Sequence, residues 1–276
     1  MKIRKIPALL CAAAILFTSV LPVQAAPEAA LDYSAVFDAE YYYNTYPDLQ
    51  QRIGNDPSAL LQHFIKRGMK EGRSGNASFQ VKAYMLNNLD LVAAYGASDL
   101  TKYYIHYISF GQAEKRSAVY QQGMQPAENT LASYSTLYDT TEDRAVNVEQ
   151  AAARINGLTV APGEQFSFSD SVGSRTLANG YVVAPSFAGG TVVSSVGGGI
   201  CQVSSTLYVV MLLSLITPDE RYPHSLPVYY VPQGLDSAIA AGYKDLTFTN
   251  PYDFNIEIQT ACQNGVLTVS LVRQPL

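Results

Sequence analysis

The chain repeats itself. From Phe37 it reads FDAEYYYNTYPDLQQRIGNDPSALLQHFIKRGMKEGRS, and from Phe79 it reads FQVKAYMLNNLDLVAAYGASDLTKYYIHYISFGQAEKRS. Phe37 aligns with Phe79, Tyr42 with Tyr84, Asp48-Leu49 with Asp90-Leu91 and Gly54 with Gly96, a period of about 42. After one inserted residue, His63, Ile65, Gly68, Glu71 and Arg73 align with His106, Ile108, Gly111, Glu114 and Arg116. A period in this range marks stacked supersecondary units, because one such unit cannot bury its apolar face alone. Each unit reads as two helices. Asp38 is placed to cap the first, Tyr42 and Tyr46 share one face, and Gly54 ends it. Asp56-Pro57 restarts the chain with Pro in a first-turn position, and Leu60, Leu61, Phe64 and Ile65 form the next apolar face up to Gly68. The expectation is an all-α module over residues 37–118.

The units resemble a short bacterial repeat of the pattern FDxxYYxxxYPDL…HFxxxGxxEGR, found in exported and surface-associated proteins. The resemblance implies a spacer or adhesion element and names no ligand. His63 and His106 sit beside aromatic residues and ahead of a glycine, which fits helix packing better than metal ligation. Glu71–Arg73 and Glu114–Arg116 read as local ion pairs.

The start of the chain fixes the expected compartment. Lys2, Arg4 and Lys5 precede an uncharged apolar run from Ile6 to Val23, and Val23-Gln24-Ala25 offers small residues to a signal peptidase. A signal peptide over residues 1–25 follows, and with it a secreted, cell-surface or wall-associated protein. Pro22 interrupts the run, which also falls short of a bilayer span of about 20 residues, so no stable membrane insertion is expected after cleavage. Residues 26–34 are an Ala-rich linker. The net charge of −5 is mild and argues against a nucleic-acid partner. Twenty Tyr and no Trp suit carbohydrate stacking, but their helical spacing points first to core packing. Beyond the leader only Cys201 and Cys262 remain, too few to staple a scaffold.

Residues 120–134 are polar, with Gly and Pro, and read as a second linker before a domain over residues 135–276. In that domain Val148, Ala151, Ala152 and Ile155 have helical spacing and stop at Asn156-Gly157. Leu158 to Val160 is a short strand, and Phe166 and Phe168 alternate with Ser167 and Ser169 as in a half-buried one. Leu246 to Thr249, Phe254 to Cys262 and Val266 to Val272 read as further strands, the last two joined by Asn264-Gly265, a hairpin-turn signal. The fold class is therefore α+β: an all-α module followed by a mixed domain of antiparallel sheet and helix. The segments RAVNVEQAAARINGLTVAPGEQFSFSDSVGSRTLANGY, GGGICQVSSTLY, ERYPHSLPVYYVPQGLDSA and DLTFTN together resemble the VanW family over residues 135–272. The resemblance implies an exported or wall-associated bacterial protein, and it implies no particular reaction.

The segment GGGICQ bears the chemistry. Gly197-Gly198-Gly199 enters an apolar stretch to Leu215 that reads as a helix, which places Cys201 in its first turn. Unpaired backbone N–H groups and the positive end of the dipole there favour a thiolate and can also receive an oxyanion. Ser204, Ser205 and Tyr208 share the face of Cys201, so the helix is expected to turn a Cys/Ser/Ser/Tyr side to a cleft. His224 is the single histidine of this domain, and Asp236 follows a strand expected at Tyr229-Tyr230. Cys, His and an acid in that order suit a cysteine peptidase, amidase or acyl transferase, with Cys201 as nucleophile, His224 as base and Asp236 as orienting acid. Gly198, Gly199, Gln202, Ser204, Ser205, Arg221 and Tyr230 form the candidate substrate-binding set, with Gln202 as an oxyanion donor. Three states of Cys201 stay open: a nucleophile, a disulfide with Cys262, or a buried thiol. The ligand set is too small for a metal site, and no cofactor is implied. The expected partner is peptidoglycan or its peptide fragments. The alternative is a non-catalytic peptidoglycan-binding, structural or adhesion protein.

Overall fold

The computed structural model describes residues 31–123 and 125–274. The expected leader, residues 1–25, lies outside them. Asp38 accepts the N–H of Tyr41 at 2.7 Å and so opens α1 (Ala39–Thr45). The helix expected to run on to Gly54 is instead split. Pro47 has no N–H to give and forces the residue before it out of helical geometry, so Tyr46 is extended and α2 (Pro47–Arg52) begins anew. Asp56 caps α3 (Pro57–His63), which widens into a π turn over Phe64–Gly68. The second stretch repeats the plan with α4 (Val81–Asn87), α5 (Leu89–Tyr95) and α6 (Thr101–His106), again ending in a π turn, Tyr107–Gly111. It has no proline at the break. There the Asn88 side chain donates to the Tyr84 carbonyl at 2.7 Å, which closes α4 locally.

Equivalent side chains make equivalent contacts in the two stretches. The Tyr42 hydroxyl meets His63 Nδ1 at 3.1 Å, and the Tyr84 hydroxyl meets His106 Nδ1 at 2.9 Å. Arg73 pairs with Asp48 and Glu71, as Arg116 does with Asp90 and Glu114. A Cβ at Gly68 or Gly111 would collide with the hydroxyl of Tyr42 or Tyr84, so glycine is what lets the phenol reach its histidine. Tyr42, Tyr84, Tyr103 and Tyr104 are fully buried. Much of the tyrosine in the helices is therefore core.

The rest of the chain builds a sheet and its cover. β1 (Thr130–Leu137) starts inside the stretch read as the second linker. It is followed by α7 (Arg144–Ile155), β2 (Leu158–Val160), β3 (Gln165–Ser167) and α8 (Phe168–Val172). A hairpin of β4 (Val183–Ala188) and β5 (Thr191–Val196) leads to α9 (Cys201–Leu213). β6 (Thr247–Thr249), β7 (Asn255–Gln263) and β8 (Val266–Gln274) complete the fold. One four-stranded antiparallel sheet has the order β1-β8-β7-β2, and β3-β6 and β4-β5 form separate pairs. Asn264 and Gly265 both hold positive φ, 52° and 76°, which the tight turn between β7 and β8 requires. The class is α+β, as the sequence indicates.

Two local expectations change. Phe168 is not a strand residue but opens α8, because the Ser167 hydroxyl accepts the Asp170 N–H and caps a helix there. Tyr229-Tyr230 is a bend rather than a strand. α9 lies across β1 and β8. Val203, Leu207, Val209, Val210, Met211, Leu212 and Leu213 are all buried, as are Gln202, Ser204, Ser205 and Thr206, so α9 is enclosed nearly all round and central. Each such apolar side chain contributes about 1.5–3 kcal/mol, which anchors the element that carries Cys201 along its whole length. From Asp32 onward the chain forms one unit, and among the described residues no helix is long and apolar enough to cross a membrane.

Candidate functional site

The glycine loop sets Cys201. A Cβ at Gly198 would lie 2.5 Å from the Pro185 carbonyl oxygen and closer still to that of Ala184, so β4 packs directly on the loop backbone. Gly199 has φ +108° and faces the Arg144 side chain at 3.1 Å. Asn147, fully buried in α7, fixes the same loop. Its amide donates to the Gly198 carbonyl at 2.8 Å and to that of Val182 at 2.9 Å, and its oxygen accepts the Val182 N–H. Replacing Gly198 with Ala is expected to cost about 2–4 kcal/mol, because the obstruction is backbone and cannot swing away. Urea denaturation measures this. A loss below about 1 kcal/mol would mean that the loop shifts freely.

The segment after α9 has little regular structure and is tied to the first turn of α9 by side chains. Ser205 Oγ accepts the Ser237 N–H at 2.8 Å, and Ser204 Oγ donates to the Ser237 carbonyl at 2.8 Å. The Ile239 N–H points at Cys201 Sγ, 3.4 Å away. These ties hold Asp236 next to His224. One Asp236 oxygen, Oδ2, accepts both the His224 backbone N–H and the ring Nδ1–H, each at 2.6 Å. The other, Oδ1, accepts from Arg221 Nη2 at 3.0 Å, and Arg221 also lies 5.0 Å from the centre of the Tyr208 ring. With Nδ1 engaged, Nε2 is the ring nitrogen left to serve the cleft.

That cleft has a volume of about 910 Å³ and is lined by Cys201, His224, Tyr230 and the glycine loop, with the β4-β5 hairpin as one wall. Phe187 of the hairpin stands edge-on to the His224 ring at 5.9 Å. All its lining residues lie between Leu137 and Lys244, so α1 to α6 contribute none. Burial pulls the His224 pKa down, but the bond to Asp236 and the interaction with Cys201 outweigh it and raise the value to about 9. Burial opposes ionisation of Asp236, yet His224 and Arg221 hold its carboxyl below the usual range. Burial and the neighbouring Cys201 push the Tyr230 phenol well up, so it stays a proton donor at neutral pH.

A VanW like protein family model matches residues 143–272. The uncharacterized protein YoaR of Bacillus subtilis (strain 168) is 31% identical over 246 residues, which covers 85% of this chain and 75% of YoaR. The vancomycin B-type resistance protein VanW of Enterococcus faecalis (strain ATCC 700802 / V583) is 31% identical over 135 residues, 46% of this chain and 49% of that protein. The chain belongs to the VanW family. No solved structure gives a significant match.

Within this VanW-family chain the sequence-derived residues divide into two groups. Cys201, His224, Tyr230, Gly198 and Gly199 line the cleft, with Asp236 and Arg221 directly behind His224. Gln202, Ser204 and Ser205 are fully buried and do not face it. Both amide protons of Gln202, the expected oxyanion donor, are engaged, by Thr136 Oγ1 at 3.0 Å and the Leu137 carbonyl at 2.8 Å. Of the face expected to open on the cleft, Cys201 does so, while Ser204 and Ser205 fasten α9 to Ser237. Among the described residues Cys201 and Cys262 are both free, and Cys262 lies on β7 with its thiol pKa raised by burial. Among the described residues no group of three or more His, Cys, Asp or Glu could hold a metal. Sequence reasoning missed Asn147 and Arg144. Asn147 had a signal, since it falls on the apolar stripe of α7, four residues before Ala151.

Proposed function

We propose that this is an exported cell-surface protein that acts on the peptide part of the bacterial cell wall, with Cys201 as nucleophile. The observation that carries this reading is the His224–Asp236 bond at 2.6 Å, with His224 and Cys201 lining the same cleft. The cell-wall assignment rests on kinship with the vancomycin B-type resistance protein VanW and on the leader-like first 25 residues. The thiolate sulfur attacks a substrate carbonyl carbon and forms a tetrahedral oxyanion at the start of α9, where backbone N–H groups and the helix dipole favour negative charge. His224, an imidazolium at neutral pH, gives its Nε2 proton to the departing amine as the C–N bond breaks. Water or an amine then attacks the thioester, His224 takes its proton, and the C–S bond breaks to release the Cys201 thiolate beside the imidazolium. Asp236 keeps Nδ1 protonated and the ring in place throughout. The helices α1 to α6 would act as a spacer or adhesion element.

Iodoacetamide labelling of the native chain, read at each cysteine by mass spectrometry, tests the site. Cys201 is expected to react at least about tenfold faster than Cys262 at pH 7, and to slow by a similar factor in His224→Ala. A Cys201 that labels only on unfolding, or is indifferent to His224→Ala, would instead favour a binding-only cleft.

A further inference from the structure

Among the described residues, two arginines in the cleft have no anionic partner. The Arg175 side chain lies over Gly197, with carbons 3.1 Å from where a Cβ would stand, and Arg144 covers Gly199 in the same way. Both line the cleft beside Cys201, as does Lys244. Arg144 donates to the neutral amide oxygen of Gln202 at 3.0 Å, and the buried Nη1 of Arg175 has no hydrogen-bond partner. Among the described residues none of these three cations takes part in an ion pair. The acids on the cleft wall, Asp139 and Glu142, are exposed, and Asp139 Oδ1 already accepts from the Thr141 N–H at 2.8 Å and its hydroxyl at 2.7 Å. A guanidinium nitrogen withdrawn from water without an acceptor is costly, and a planar fork of N–H donors matches a carboxylate.

We infer that Arg175, supported by Arg144, forms a carboxylate-binding subsite next to Cys201, so the ligand is a short peptide with a free carboxylate close to the bond attacked. The peptide part of this inference rests on the catalytic reading of the cleft above. The carboxylate can be a chain end or an acidic side chain, since the arginines meet the same group in either case.

The test compares two alkylating reagents that differ only in charge, iodoacetate and iodoacetamide, at Cys201 of the full chain. Their rate ratio, normalised to that of glutathione, is expected to be about tenfold in favour of iodoacetate, and to fall at least about fivefold in Arg175→Gln with partial recovery in Arg175→Lys. Acetyl-alanyl-alanine should suppress the iodoacetate preference if the subsite takes a chain end, and the diamide of acetyl-glutamic acid, which carries no carboxylate, should not. Acetyl-glutamic acid α-amide should suppress it if the subsite takes a side chain. Should Arg175→Gln fail to fold, the wild-type ratio and its suppression by these carboxylates still decide. A ratio equal to that of glutathione, insensitive to both carboxylates, overturns the subsite. Sluggish reaction with both reagents overturns the nucleophile instead, and the ratio still reads the subsite.

Discussion

Cys201→Ala and His224→Ala are each expected to lower the release of new amino groups from purified cell walls by at least roughly a thousandfold, and the double variant to do little more. In the proposed mechanism nucleophile and proton donor act in one step, so removing either removes most of what both contribute. The losses should not reflect unfolding. Cys201 is only partly buried, and what Ala would lose is the Ile239 N–H at 3.4 Å, the Ile239 carbonyl at 3.8 Å and the interaction with His224. Cys201→Ala should therefore melt within about 2–4 °C of the parent, a change of roughly 1 kcal/mol in a domain of this size. Full release by either variant would end the catalytic reading. Sedimentation with walls that survives Cys201→Ala, with no release by the parent chain, would transfer the cleft to recognition.

The parts of the fold that were legible are those written in local pattern. The stripe Val148, Ala151, Ala152 and Ile155 specified α7, and Asn264-Gly265 specified the last hairpin, because both depend on neighbours a few residues away. The split at Tyr46-Pro47 was also local and stood in the sequence, but the strong tyrosine periodicity across it obscured the boundary. The region between α9 and β6 was not legible in the same way. Its path is fixed by single bonds from distant residues, such as Arg221 to Asp236 and Ser237 to Ser205, and such bonds have no period. The order Cys201, His224, Asp236 could be read along the chain, but the ties that bring the later two toward α9 could not. Gln202 shows the opposite limit. Its position after Cys201 suggests a donor for the cleft, yet helical geometry turns it toward β1, where Thr136 and Leu137 take its protons.

Asp236→Ala is expected to destabilise the protein by about 3 kcal/mol near pH 6, because it leaves the charges of Arg221 and His224 withdrawn from water without their shared acceptor. The side chains of Asp236, Arg221 and His224 are only 11%, 18% and 7% exposed, so solvent compensates little. In a domain of this size that is a fall of roughly 6–12 °C in melting temperature. The pH dependence has a definite sign. The His224 pKa is raised from 6.5 to about 9, so its contribution is complete below 6.5 and is lost as pH climbs through about 9. The Asp236 pKa is lowered from 3.8, so its contribution is present above 3.8 and is lost as pH falls through the folded value. Parent stability should thus hold from about pH 4 to 6.5 and weaken toward pH 10, while Asp236→Ala should show a flatter alkaline limb. Asp236→Asn separates charge from shape. With the carboxylate gone, Cys201 alone opposes burial at His224, and its imidazole signal in NMR should titrate lower than in the parent, toward 6.5. An unmoved titration in that variant would mean that Cys201, and not Asp236, holds the proton on His224, and the acid would lose its assigned part in orienting the ring.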